Sequence, residues 1–227
     1  MTTATATATN APSPEAPALP EPNLRWSKPA DDATIERTAE ALRAKGYQVF
    51  VADDRETAKQ IIVGLVPEGS EVSQGGSVTL EELGVTAVIE ESGRYDAVRP
   101  KTRKLDYKTE EGRREGRRMG AVPDFWLNSA HAVTEDGRIL IASNTGSQLG
   151  PIAFGTGHVI FAIGSQKIVD DLDSALRRIE EYSYPMESAR LFKVYGMPSS
   201  LNKILIVNKE FREGRITVVL IREPIGF

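Results

Sequence analysis

Residues with chemical reach gather at two glycine-rich junctions. The first, "SQGGSVTLEELG" (Ser73–Gly84), puts Gly75, Gly76, Ser77 and Thr79 where a strand-like run gives way to a helix-like one. Glycine lets a ligand approach the backbone closely. Ser77 or Thr79 can cap the following helix, whose free N–H groups and dipole favour an anion by roughly 0.3–1 kcal/mol at an exposed site. A phosphate or carboxylate could sit at Gly75, Gly76 and Ser77; a plain turn with a cap is the competing reading. Neither GxxxxGK[ST] nor GxGxxG occurs here. The second junction, "SNTGSQLGPIAFGTGH" (Ser143–His158), follows the strand-like "RILIA" and offers Asn144, Thr145, Gly146, Ser147 and Gln148. A strand leading into small polar residues is a ligand-loop arrangement. The two loops can converge at one sheet edge if their strands are neighbours.

Acid–base candidates are few. His131 lies just before "TEDG", near Glu135 and Asp136, and an imidazole beside a carboxylate can exchange protons near neutral pH. A structural histidine is the alternative. His158 opens a strand and reads as a strand-end residue. Two histidines without HxH or HExxH spacing make a poor zinc site. Glu81 follows the glycine pair by one turn and could act as base or nucleophile, or compensate the helix dipole together with Glu82.

The elements that must position these residues alternate. "DDATIERTAEALRAKG" has acidic residues first, Ile35, Ala39 and Leu42 on one face, and a closing Gly46: a helix. "YQVFVA" reads as a strand. "DDRETAKQIIVGL" reads as a capped helix stopped before Pro67. "SEVSQ" is a short strand, "TLEEL" a short helix and "VTAVIEE" another. "AVTEDGRILIA" reads as a hairpin turning at Glu-Asp-Gly. Then come "HVIFAIG", the helix "DDLDSALRRIEEYS", and two final strands around a loop containing Gly214. This order predicts an α/β fold: a three-layer Rossmann-like mixed sheet flanked by helices.

Residues 1–28 are Thr/Ala repeats and Pro-rich sequence, expected to be a disordered tail or an arm laid on a neighbouring subunit through Leu24 and Trp26. Residues 29–227 form the domain. The chain has 227 residues, no cysteine and a net charge of −4. Without cysteine there are no disulfides, thiolate zinc sites or thiol nucleophiles. The acidic balance argues against bulk nucleic-acid or membrane-surface binding. No stretch approaches the ~20 apolar residues of a membrane span, and the start lacks a secretory pattern, so a soluble cytoplasmic protein is expected. "RPKTRKLDYKTEEGRREGRR" (Arg99–Arg118) reads as a solvated basic helix, with Gly112, Gly116 and Gly120 as a small-residue stripe.

Four segments in order, "GGSVTLEELG", "NSAHAVTEDGRIL", "NTGSQLGPIAFGTGHVIFAIGSQKIVDDLDSALRRI" and "GRITVVLIREPIGF", resemble the LUD domain family, the LutC-like lactate-utilisation proteins formerly called DUF162. The resemblance spans about Asp31 to Phe227. It implies a fold like NagB, ribose-5-phosphate isomerase and CoA transferases, whose members bind phosphosugars, CoA esters or related anions. It also implies a part in oxidising lactate to pyruvate beside iron–sulfur partner proteins. Lys167 matches the lysine of the family's "NKIV" and could meet an anionic ligand; a solvated lysine is the alternative. The chain departs from the family at His131, where asparagine is usual, and at Gln148, where arginine is usual. The segment after Arg190 and Leu191 also lacks the cysteines that many members carry.

The resulting expectation is an organic-acid utilisation protein holding a small anionic metabolite between the two Gly/Ser loops. An isomerase or CoA-transferase-type enzyme using Glu81 or Glu135 with His131 is one alternative. A noncatalytic subunit docked on iron–sulfur partners is the other. A homo-oligomer is compatible with all three, and the residues name no cofactor.

Overall fold

A computed structural model describes residues 19–227; the Thr/Ala repeats of the expected tail lie outside the described residues. Strands β1 (Gln48–Ala52), β2 (Glu71–Gln74), β3 (Asp96–Ala97), β4 (Phe125–Asn128), β7 (His158–Gly164) and β10 (Ile216–Ile221) form one sheet in the order β1-β10-β7-β4-β2-β3. Every pairing in it is parallel. A smaller sheet, β8-β5-β6-β9, joins β5 (Ala132–Thr134), β6 (Ile139–Ser143), β8 (Ile168–Val169) and β9 (Lys203–Val207). There β5–β6 and β6–β9 are antiparallel, and β5–β8 is parallel. The three-layer α/β expectation therefore holds, with the strands divided between a parallel main sheet and a small mixed one.

Both faces of the main sheet are buried, as a parallel sheet requires. Along β7, Val159, Phe161 and Ile163 face one cluster while Ile160 and Ala162 face the other. This is the strand period of two read out as two half-cores. The first half-core is closed by α1 (Asp32–Ala44) and the inner face of the small sheet: Ile35, Leu42, Val133, Ile139 and Ile141. The second is closed by α2 (Arg55–Gly64), α3 (Val78–Glu82) and α4 (Val85–Glu91), through Ala58, Ile62, Leu80 and Ile89. Asp31 and Asp54 cap α1 and α2 by accepting from the N–H groups of Thr34 and Thr57.

The short α5 (Val98–Thr102) leads to α6 (Glu110–Ala121), whose arginines pair with Glu110 and Glu115 at the surface. Gly112 and Gly116 let Asp106 and the Tyr107 ring lie against α6, while Gly120 faces open space. The last helical stretch is longer than its sequence suggests: α7 (Leu172–Arg178) runs through a π turn at Ile179–Ser183 into α8 (Tyr184–Tyr195). The two final strands do not pair: β9 borders the small sheet and β10 lies inside the large one, between β1 and β7.

Part of the 1–28 segment lies among the described residues and packs on the domain. Asn23 donates from its backbone to Glu181 O, and Trp26 Nε1 donates to Glu181 Oε2 at 2.9 Å. Trp26 also packs on the third apolar cluster, beside Leu172, Leu176 and Leu201. The segment Leu24–Ser27 is thus held on its own chain, with Leu24 exposed. Among the described residues no helix is long and apolar enough to cross a membrane.

Candidate functional site

β2 has β3 on one side and β4 on the other, so the strand order reverses between β2 and β4. In open α/β sheets a crevice opens beyond the carboxyl ends of strands at such a point. Gly75 and Gly76 leave β2 there, and Asn128 and Ser129 leave β4 beside them. The second glycine loop comes from the end of β6 in the other sheet. The loops therefore converge across the gap between two sheets, not along one edge. The contact is tight: a Cβ on Gly75 would lie 2.7 Å from Asn128 Oδ1 and 2.9 Å from Gln148 Oε1. Asn128 Nδ2 donates to Gln148 Oε1 at 3.0 Å. Between them lies a cavity of about 280 Å³.

His131 and Gln148 do one job together. β6 extends past the start of β5, which leaves the inward N–H and C=O of Ala142 without a strand partner. His131 Nδ1 accepts from Ala142 N at 3.1 Å, and Gln148 Nε2 donates to Ala142 O at 2.8 Å. Unsatisfied, each buried backbone group would cost about 1–3 kcal/mol. Because Nδ1 accepts, the neutral imidazole carries its hydrogen on Nε2. Burial, then the charges of Lys167 and Arg178, push the His131 pKa down to about 3. At neutral pH His131 is a hydrogen-bond donor in the cavity wall and carries no charge.

The cavity floor is cationic. Lys167 is 1% exposed, and its Nζ donates to Thr79 Oγ1 at 2.9 Å and to Ser129 Oγ at 3.0 Å. Behind it Arg178 is 0% exposed. That guanidinium donates to the backbone oxygens of Gln166 and His131 and to Ser183 Oγ, and its Nη2 has no partner. Among the described residues neither side chain forms an ion pair with a carboxylate. Burial is the first cause lowering both pKa values, that of Arg178 to about 10 and that of Lys167 well below its ordinary value. Arg178 thus keeps its charge at neutral pH and disfavours a second charge on Lys167. A charge on Lys167 as well, with no anion beside it, would cost several kcal/mol.

Gly75, Gly76, Ser77, Thr79, His131, Asn144, Thr145, Ser147, Gln148 and Lys167 all line this cavity. Ser77 does so while capping α3 through Leu80 N, so the same residue starts the helix and lines the cavity. With only five residues α3 supplies little dipole, and the positive charge comes from side chains instead. Gly146 lines no part of the cavity; its φ of +89° makes the loop's turn beside the Lys203 side chain. Glu81 is exposed and outside the cavity. Glu135 is outside it too, paired with Arg37 at 3.2 Å. The three residues of β5 lie between it and His131, an extended span of roughly 13 Å over four steps, so this histidine and this carboxylate do not meet.

The carboxylate that does line the cavity is Glu187 of α8, held by Arg190 through two 2.7 Å bonds. Sequence reasoning missed it, along with Asn128, Ser129 and Arg178. Arg178 carries a signal in hindsight: it falls at helical spacing on the buried stripe of Ala175, Ile179 and Tyr182. Asn128 and Ser129 are the first polar residues after the buried run "FWL". No local pattern marks Glu187. Among the described residues no group of three or more His, Asp or Glu side chains is placed to hold a metal ion.

Fold and site together define a Rossmann-like α/β protein with a cation-floored crevice at its strand-order reversal. The LUD domain model matches residues 35–221, and the chain belongs to that family. A crystal structure of a DUF162 family protein from Deinococcus radiodurans shares the fold, with a TM-score of 0.52 at 11% identity. The match covers 85% of this chain and 99% of that one. No curated protein matches the sequence.

Proposed function

We propose that the chain binds a small carboxylate metabolite between the Gly75–Thr79 and Asn144–Gln148 loops and serves organic-acid utilisation, with lactate and pyruvate as first candidates. The observation that carries this reading is Lys167: a buried amine at the cavity floor, backed by buried Arg178, with hydroxyl neighbours and no carboxylate partner. An anion beside Lys167 would offset the unpaired charge of Arg178 behind it. The hydroxyl hydrogen of Ser147, whose oxygen accepts from Thr145 Oγ1, and the Nε2–H of His131 add uncharged donors suited to carboxylate oxygens. The cavity is at the small end of ligand pockets, which favours a compact metabolite over a whole CoA ester.

The test is a thermal-shift screen of lactate, pyruvate, sugar phosphates and CoA esters at neutral pH. Small carboxylates should raise Tm, and Lys167→Met should abolish the shift. No shift with any anion would sink the proposal. An isomerase or transferase reading keeps one supporting observation, the Glu187 carboxylate in the same cavity as His131. Turnover lost in Glu187→Gln would favour it over simple binding. Docking on iron–sulfur partners remains a further reading, supported by the family resemblance and the absence of cysteine.

A further inference from the structure

We propose that Lys167 is a covalent site: its amine forms an imine with a ligand that bears a carbonyl next to its carboxylate. This deepens the anion-pocket reading and rests on it. The geometry around Nζ carries the argument. Thr79 Oγ1 is itself placed to donate to Ile225 O at 3.4 Å, and Ser129 Oγ to Ala130 O at 3.4 Å. Both hydroxyls therefore turn a lone pair, not a hydrogen, toward Nζ. A neutral amine has two hydrogens, and those two acceptors take both. The nitrogen lone pair is then left without a partner. An ammonium would instead leave its third N–H unsatisfied. Either way, one position on this nitrogen is unfilled, in a side chain that lines the cavity.

Burial and the neighbouring Arg178 charge favour the neutral, nucleophilic form. Attack of Nζ on the carbonyl carbon forms the C–N bond and a carbinolamine. The former carbonyl oxygen then leaves as water, taking with it the two hydrogens that the nitrogen loses. No electron transfer is involved, and no further reactant is needed. The product turns the carbonyl into an electron sink and acidifies the C–H beside it. Arg178 stays charged behind the site, so positive charge remains near the cavity when Lys167 is consumed.

The full chain is incubated with pyruvate and sodium borohydride, digested and read by mass spectrometry, with lactate as the carbonyl-free control. The expected result is the reduced pyruvyl adduct on the peptide containing Lys167, absent with lactate and absent in Lys167→Arg. Mapping the adduct on the wild-type chain keeps the test decisive if the variant folds poorly. A thermal shift with both acids but no adduct overturns the covalent site and leaves the anion pocket standing. No shift with either acid sinks both. An adduct spread over surface lysines, without enrichment at Lys167, also overturns the covalent site.

Discussion

Acid should unfold this protein earlier than its carboxylates alone would require, and His131 is the reason. Its pKa is held at about 3 in the folded chain, against an ordinary value near 6.5. Between those values the unfolded chain binds the proton and the folded chain does not. Stability from this group is therefore complete above about pH 6.5 and is lost as pH falls toward 3. Each unit of difference is worth about 1.4 kcal/mol, so by pH 5 the loss reaches about 2 kcal/mol. Unfolded carboxylates titrate near pH 4, so Asp31, Asp54 and Asp171, all lowered by their capping bonds, contribute mainly below this window. Lys167 contributes to both chains compared. The variant is His131→Asn, which cannot titrate and can still offer an acceptor to Ala142 N–H. Urea denaturation at pH 7 and pH 5 should show the wild type losing about 2 kcal/mol more than His131→Asn. Equal losses in the two chains would refute the assignment of His131 as a group held neutral in the folded chain.

Gly75→Ala should cost about 1–3 kcal/mol by overpacking, because its Cβ would press on Asn128 and Gln148. Lactate affinity should fall with it, while Gly150→Ala, which meets nothing within 4 Å, changes neither; urea melts and calorimetry read both. Glu187→Gln removes a carboxylate from the cavity wall and should tighten lactate binding several-fold in the same titration. Unchanged affinity would place Glu187 outside the binding region.

Local chemistry wrote much of this fold into the chain. Asp31 and Asp54 announce their helices because a short carboxylate before an apolar stripe has backbone N–H groups to satisfy. "HVIFAIG" announces a doubly buried strand because both its odd and even positions are apolar. The Glu-Asp-Gly turn is equally legible, since Gly137 takes a φ of +85° there. Partner choice is another matter. "KILIV" and "ITVVLI" look alike, yet one borders the small sheet and the other lies between β1 and β7 in the large one, because an apolar run does not say which strand it meets. The site divides along the same line. Both glycine loops are visible as sequence, and the family pattern singles out Lys167. Its burial is invisible, since a lysine is exposed by default and only tertiary packing puts Thr79, Ser129 and Arg178 around it. Glu135 lies four positions from His131 in the sequence, but the extended β5 between them holds the two side chains apart. Glu187 comes from a helix beyond the π turn, and nothing local directs it to the cavity.

Calorimetric titration of lactate into the wild type and Lys167→Met at neutral pH tests the central claim most directly. The account predicts one saturable site per wild-type chain and none in the variant. Equal binding by both chains, or binding by neither, would contradict it.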